Sequence, residues 1–258
     1  MIARFEELDW QPTRMGDLTL RRRTEPTTGD LVYEVKLGDE YLMSSLFTVA
    51  EEELAGLGLA AAAGDGLTVL VGGLGLGYTA VAALRDDRVA TLAVIDALPA
   101  VIGWHERELL PVSAALVRDA RTSLVEGDFF ALVRQAPAPD APRYDAILLD
   151  VDHSPRHQLD PTHADLYTTG GLAALERHLR PHGVFALWSD DPPDDEFVSV
   201  LRGVFDDVVA HVVDFENPLT GGTSSNTVYV AVSRRHGTKD PVAALPAGGE
   251  WCTRRDGR

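Results

Sequence analysis

A series of alternating strand and helix patterns, beginning at residue 67, constrains this chain most strongly. Leu67-Thr-Val-Leu-Val71 is an apolar run of the length expected for a strand buried on both faces. It enters the loop Gly72-Gly73-Leu74-Gly75-Leu76-Gly77, after which a helix is expected from about Tyr78 to Leu84. Val89–Ile95 predicts a second strand ending at Asp96, and helical segments at 99–110 and 112–120 lead to a third near 122–125. Gly127-Asp128 opens another helix, and Tyr144–Leu149 predicts a fourth strand that ends in Asp150-Val-Asp152-His153. A polar loop over 151–168, a helix at 171–180 and a fifth strand at 183–188 follow. A helix at 194–205 and strands near 207–215 and 226–233 complete the series. Such repeats imply an α/β fold, a mainly parallel sheet with helices on both faces, since crossovers are right-handed. Ligands of these sheets bind beyond the carboxyl ends of the strands, where the strand order reverses. The residues that follow strands one, two and four are therefore the candidates.

Residues 17 to 44 read differently, as short strands at Leu18–Arg22, Leu31–Lys36 and Glu40–Met43 separated by turn signals. A helix over Thr48–Ala62 follows, with Thr48 as N-cap and Glu51 as its capping-box partner. The expected organisation is a small β-strand region at 1–47, a Rossmann-like domain at 48–233, and a disordered tail at 234–258 rich in Gly, Pro and charge.

A net charge of −17 over 258 residues argues against nucleic acid as a partner, because neutralising phosphates needs a basic face. Leu54–Val71 is the most apolar stretch, but Gly56, Gly58, Gly64, Asp65 and Gly66 break it, so no membrane span is expected. The N-terminus has no signal-peptide core, and the lone cysteine, Cys252, fits a reducing cytosol. A cytoplasmic protein is expected.

The loop narrows the ligand. A dinucleotide fingerprint counted from Gly73 and Gly75 would end at Tyr78, where a Gly or Ala is required. No Lys-Ser or Lys-Thr follows, as a triphosphate loop would need. Gly73-x-Gly75-x-Gly77 is the form typical of S-adenosylmethionine enzymes, with Gly72 leading into it. Asp96, nineteen residues after Gly77, suits both ribose hydroxyls. Asp128, followed by Phe129, suits the adenine amino group. The competing reading of each acid is a helix N-cap.

These features together resemble the spermidine synthase family of the class I methyltransferase fold. The resemblance runs from about residue 31 to 233. It rests on the small strand-rich region, the Gly-Gly-x-x-x-Gly loop at 72–77, Gly127-Asp128 and Tyr144-Asp-Ala-Ile-Leu-Leu-Asp150. It implies a seven-stranded Rossmann-like methyltransferase sheet, with Asp150 helping to position and deprotonate an attacking amine. Asp152 and His153 lie where the family has a second Asp, before a Pro. The family's loop carries an Asp that holds the aminopropyl ammonium of decarboxylated S-adenosylmethionine, and Gly75 stands in that place. A gapless comparison from Leu37 puts Leu42, Phe47-Thr48 and Glu51-Glu52-Glu53 against the family's upstream binding residues, and only Glu53 matches. The resemblance also allows a homodimer, with the N-terminal strands as the interface.

Asp150, Asp152 and His153 form the candidate catalytic cluster, with either Asp150 or His153 as base. Glu53, Asp190 and Asp191 are the candidate contacts to a small-molecule acceptor, an amine among the options. His157 and His163 share the 151–168 loop, which suits a lid, and no standard metal-ligand spacing occurs there. The expected function is an S-adenosylmethionine-dependent transferase, with methyl transfer preferred on account of Gly75. The alternatives are a polyamine aminopropyltransferase and a non-catalytic nucleotide-binding module.

Overall fold

A computed structural model of the chain describes residues 5–13 and 16–234. Two sheets organise it. The first is antiparallel, in the order β1-β2-β3-β4: β1 Phe5–Thr13, β2 Gly16–Thr24, β3 Leu31–Leu37 and β4 Glu40–Ser44. β1 has no counterpart among the expected strands. Its alternation is obscured by exposed Phe5 and Trp10, and only pairing with β2 orders it. Helix α1, Val49–Ala61, leads from this sheet into the second. Thr48 precedes α1 without a side-chain cap bond, so the expected capping box with Glu51 does not form; the Thr48 hydroxyl instead donates to Glu52, at 3.3 Å.

The second sheet has seven strands in the order β10-β11-β9-β8-β5-β6-β7. These are β5 Leu67–Gly72, β6 Val89–Asp96, β7 Thr122–Glu126, β8 Tyr144–Leu149, β9 Leu179–Ser189, β10 Asp207–Asn217 and β11 Gly222–Val232. β7, β6, β5, β8 and β9 run parallel; β11 pairs antiparallel with β9, and β10 pairs antiparallel with β11 at the edge. The order reverses between β5 and β8, which places the start of the glycine loop beside Asp150. The helices between them are α2 Tyr78–Leu84, α3 Pro99–Glu106, α4 Ser113–Val117, α5 Phe129–Arg134, α6 Thr169–Glu176 and α7 Asp195–Arg202. α3 stops short of 110 because Glu108 takes a left-handed φ of 55°. α6 starts at 169 because the Thr168 hydroxyl accepts from the Gly171 amide, and it ends early because Leu179 already pairs with Tyr144.

Strand alternation builds one apolar core on each face. Val69, Val71, Val94, Leu148 and Ala186 meet α1, α2, α3 and the first sheet, whereas Leu70, Ile147, Leu149 and Phe185 meet α5, α6 and α7. Among the described residues no helix is long and apolar enough to cross a membrane. Of the expected tail only Arg234 is described; residues 235–258, with Cys252, lie outside the described residues.

Candidate functional site

β5 delivers its glycines to a point where no side chain fits. A Cβ on Gly73, which has φ +91°, would lie 2.0 Å from the Asp150 carbonyl oxygen. The ends of β5 and β8 can touch only through glycine there. Gly75, at φ +46°, would point a Cβ at the Met43 sulfur, 2.9 Å away. Met43 belongs to β4, so the small sheet packs directly on the loop. Gly72 lies against Phe129, which is buried in the core at the start of α5.

The loop is held from two further sides. Asp96 accepts from the Leu74 amide at 2.9 Å and from the Leu98 amide at 2.8 Å. Burial pushes its carboxyl above the ordinary range, against these amide bonds, which pull it down. His105, fully buried on α3, bonds the Gly75 carbonyl through Nε2 at 3.0 Å and Ser113 Oγ through Nδ1 at 3.1 Å. A carbonyl can only accept, so Nε2 carries the hydrogen and Nδ1 accepts from the serine: a neutral ring. Burial also lowers the affinity of His105 for a second proton.

His105→Ala should therefore lower stability by about 2–4 kcal/mol, through the lost bonds and the cavity left behind. Chemical denaturation would measure this. The native histidine resists protonation, so its stabilising contribution is present above its ordinary value of 6.5 and is lost as pH falls below it.

A cavity of about 310 Å³ opens where the loop, the first sheet and the ends of β8 and β9 converge. Gly75 and Gly77 line it, with Tyr41, Phe47, Tyr78, Trp188 and Phe215 as aromatic walls and Glu51, Asp150, His153, Asp190 and Asn226 as polar groups. The Thr79 hydroxyl, on α2, donates to Asp150 Oδ2 at 2.7 Å. Desolvation raises the Asp150 carboxyl to about 6 despite that bond. Glu51 is raised to about 8, by burial first and then by the charge of Asp150. Asp190 accepts from Asn226 Nδ2 at 2.8 Å. His153 Nε2 lies 3.3 Å from Glu40 Oε1.

Several expected site residues stand elsewhere. Asp152 is buried and lies outside the cavity lining. It accepts from the Leu159 amide at 2.8 Å, Tyr167 Oη at 2.7 Å and His163 Nδ1 at 2.8 Å. It organises the 151–168 loop rather than meeting a substrate, because a buried carboxylate needs those donors. His163 also stacks on Phe130, with ring centroids 3.6 Å apart. The loop suggested as a lid is thus cross-tied, and Arg156 fastens it to Asp194 and Glu196.

Glu53 is exposed on α1 and does not line the cavity; Glu51 does, because the helix turns it onto the face shared with Leu54, Ala55 and Gly58. Asp191 pairs with His157 at 3.1 Å, away from the lining. Asp128 caps α5 by accepting from the Ala131 amide at 3.0 Å, and neither it nor Asp96 lines this cavity. Glu51, Thr79, Met43 and the aromatic walls were not expected from the sequence as site residues. Helical periodicity could have selected Glu51 over Glu53, but no local signal brings β4 to the loop. Among the described residues no three His, Cys, Asp or Glu side chains gather as a metal site.

No protein-family model matches the sequence, and no curated protein matches it. Solved structures do. The spermidine synthase of Thermotoga maritima superposes with a TM-score of 0.67 at 19% identity, over 88% of this chain and 72% of that one. A spermidine synthase in complex with the transition-state analogue AdoDATO gives 0.68 at 19%, over 88% and 73%. Human methyltransferase-like protein 13 in complex with SAH gives 0.52 at 18%, over 75% and 81%. A small antiparallel sheet set before a seven-stranded methyltransferase sheet is the architecture found here, and the chain has the spermidine synthase-like form of the class I methyltransferase fold.

Proposed function

We propose that this chain is a transferase that binds S-adenosylmethionine, or its decarboxylated form, on Gly72–Gly77 and passes a carbon group to a small cationic acceptor. One observation carries the reading: Gly75 and Gly77 of the loop and the desolvated carboxyls of Asp150 and Glu51 line a single cavity at the switch point of the sheet.

The residues present fit such a cofactor. The two oxygens of Asp96 offer about four acceptor sites and meet the amides of Leu74, Leu98 and Gly75, so acceptor capacity remains for ribose hydroxyls. Asp128 caps α5 through Oδ1 alone, which leaves Oδ2 for the adenine amino group. Bound there, the cofactor supplies an electrophilic carbon on a sulfonium sulfur. The chain's own work is to orient an amine and remove its proton. Asp150, steadied by Thr79, is the base, because burial raises its carboxyl to about 6, toward neutral pH. Five aromatic walls suit a cation and shed water around it. Asp190, held by Asn226, adds negative charge. His153 lines the cavity beside Glu40 and is the alternative base.

Methyl is the preferred group, because position 75 offers no acid for an aminopropyl ammonium and Met43 fills the space above it. One observation favours the aminopropyl alternative: among the described residues no Lys or Arg lines the cavity to meet a cofactor carboxylate. Calorimetry with both cofactors decides. We expect S-adenosylmethionine to bind at least about tenfold more tightly, a difference of about 1.4 kcal/mol. Tighter binding of the decarboxylated form would transfer the reading to aminopropyl transfer.

A further inference from the structure

Of the carboxyls that line the cavity, the reaction outlined above assigns a chemical step only to Asp150. We propose that Glu51 is a second catalytic residue, forming with Asp150 a carboxyl pair that holds one proton and relays the acceptor's proton to solvent. This rests on the transferase reading.

Glu51 has no structural employment. Its neighbour Glu52 bonds Thr48 and pairs with Arg85, which fastens α1 to α2. Among the described residues the Glu51 side chain meets no hydrogen-bond partner beyond its own backbone amide, although it lies on the buried face of α1. A carboxyl placed in a cavity without a partner costs stability, so such groups belong to sites rather than to scaffolds.

Its surroundings favour retention of a proton. Asp150 faces the cavity from the end of β8, Asp190 from beyond β9, Tyr78 from α2, Tyr41 from β4 and His153 from the following loop. Glu52 adds charge from the same helix. Apart from His153, none of these can supply positive charge. Two carboxylates in one desolvated space do not both ionise readily, and the pair titrates in two steps. Burial raises both carboxyls and the charge of Asp150 raises Glu51 further, so both steps lie above the ordinary range and belong to the pair.

An acceptor that enters as an ammonium meets Asp150 ionised and Glu51 protonated. The ammonium nitrogen keeps its electron pair and its proton passes to an Asp150 oxygen. Both carboxyls are then neutral, and the pair returns to its one-proton state when Glu51 releases a proton to water and accepts the one from Asp150. No oxidant, reductant or further reactant is needed.

Carboxyl-carbon NMR of the full chain, labelled at Asp and Glu, would follow both steps against pH. The native protein should show two carboxyls that titrate well above the ordinary range. Glu51→Gln should lose the upper step and keep the lower, and Asp150→Asn should bring the Glu51 midpoint down by about one pH unit or more. Calorimetry with n-butylammonium chloride near pH 7, in two buffers of different ionisation enthalpy, should show proton release by the native protein and none by Glu51→Gln. Persistence of the upper step in Glu51→Gln, an unmoved Glu51 midpoint in Asp150→Asn, or ammonium binding by the native protein without proton release would each overturn the pair. If Glu51→Gln does not fold, the native and Asp150→Asn spectra decide alone. Binding of S-adenosylmethionine, measured separately, tests the transferase reading; its failure leaves the carboxyl titrations standing for or against the pair.

Discussion

Asp150→Asn is expected to reduce transfer by about 10²–10⁴-fold, the usual contribution of a positioned general base. The amide keeps the size of the side chain and can still accept from Thr79, which now bonds Oδ2 at 2.7 Å. What it cannot do is take a proton. The same substitution should make the protein more stable at neutral and alkaline pH. In the folded chain burial raises this carboxyl from 3.8 to about 6, so the folded state binds a proton more readily than the unfolded one. The stability linked to that proton is fully present below 3.8 and is lost as pH rises through about 6. A tenfold difference in proton affinity between the two states is worth about 1.4 kcal/mol, so the native protein gives up on the order of 2–3 kcal/mol by pH 8. The asparagine variant does not. Thermal unfolding of both proteins at pH 4 and pH 8, set beside turnover of the cofactor with a cell extract, checks the two halves together. Undiminished turnover in the variant would remove Asp150 from the chemistry, and no turnover in either protein would favour a binding module.

Asp152→Ala should act in the opposite way, on the fold before the chemistry. Leu159 N, Tyr167 Oη and His163 Nδ1 all converge on its two oxygens. Tyr167 is almost wholly buried, and the charge of Asp152 helps to keep its hydroxyl protonated well beyond the ordinary range. Removal of the carboxylate strands several buried donors at once, at a cost of about 3–5 kcal/mol. Hydrogen exchange should show the 151–168 loop opening first, since three donors of that loop meet on this one side chain. Asp152→Asn, which keeps an acceptor and the shape, should lose less. A variant that unfolds normally but fails to turn over substrate would instead return Asp152 to the site.

The contrast between these two acids shows what could be read in advance. They are two residues apart in Asp150-Val-Asp152-His153, and both looked catalytic. Strict alternation would put residues two apart on the same face; they part because β8 ends at Leu149 and the chain bends at 152–153, turning Asp152 into the 151–168 loop. Glu51 and Glu53 differ in the same way. The helical period of α1 puts Glu51 with Leu54, Ala55 and Gly58, a fact present in the sequence, while comparison with a related family's pattern favoured Glu53. Gly75 was legible as a missing acid, but the methionine that packs over it was not. Met43 is thirty-two residues away, on a strand of another sheet. Asp128 takes the N-cap role offered as its competing reading, whereas Asp96 caps no helix and instead accepts from the loop amide of Leu74; each keeps acceptor capacity.

The sequence alone determined the order of strands and helices from Leu67 onward, the glycine loop between a buried strand and a helix, and the acids that follow the strands. These are set by patterns a few residues long: side-chain period, turn chemistry and the absence of a Cβ. Tertiary structure decided which acids share a desolvated space, because burial and mutual repulsion depend on elements that lie far apart in the chain. It closed the first sheet over the loop, took Asp152 and Glu53 out of the cavity, and brought Glu51 and Asp150 into its lining together.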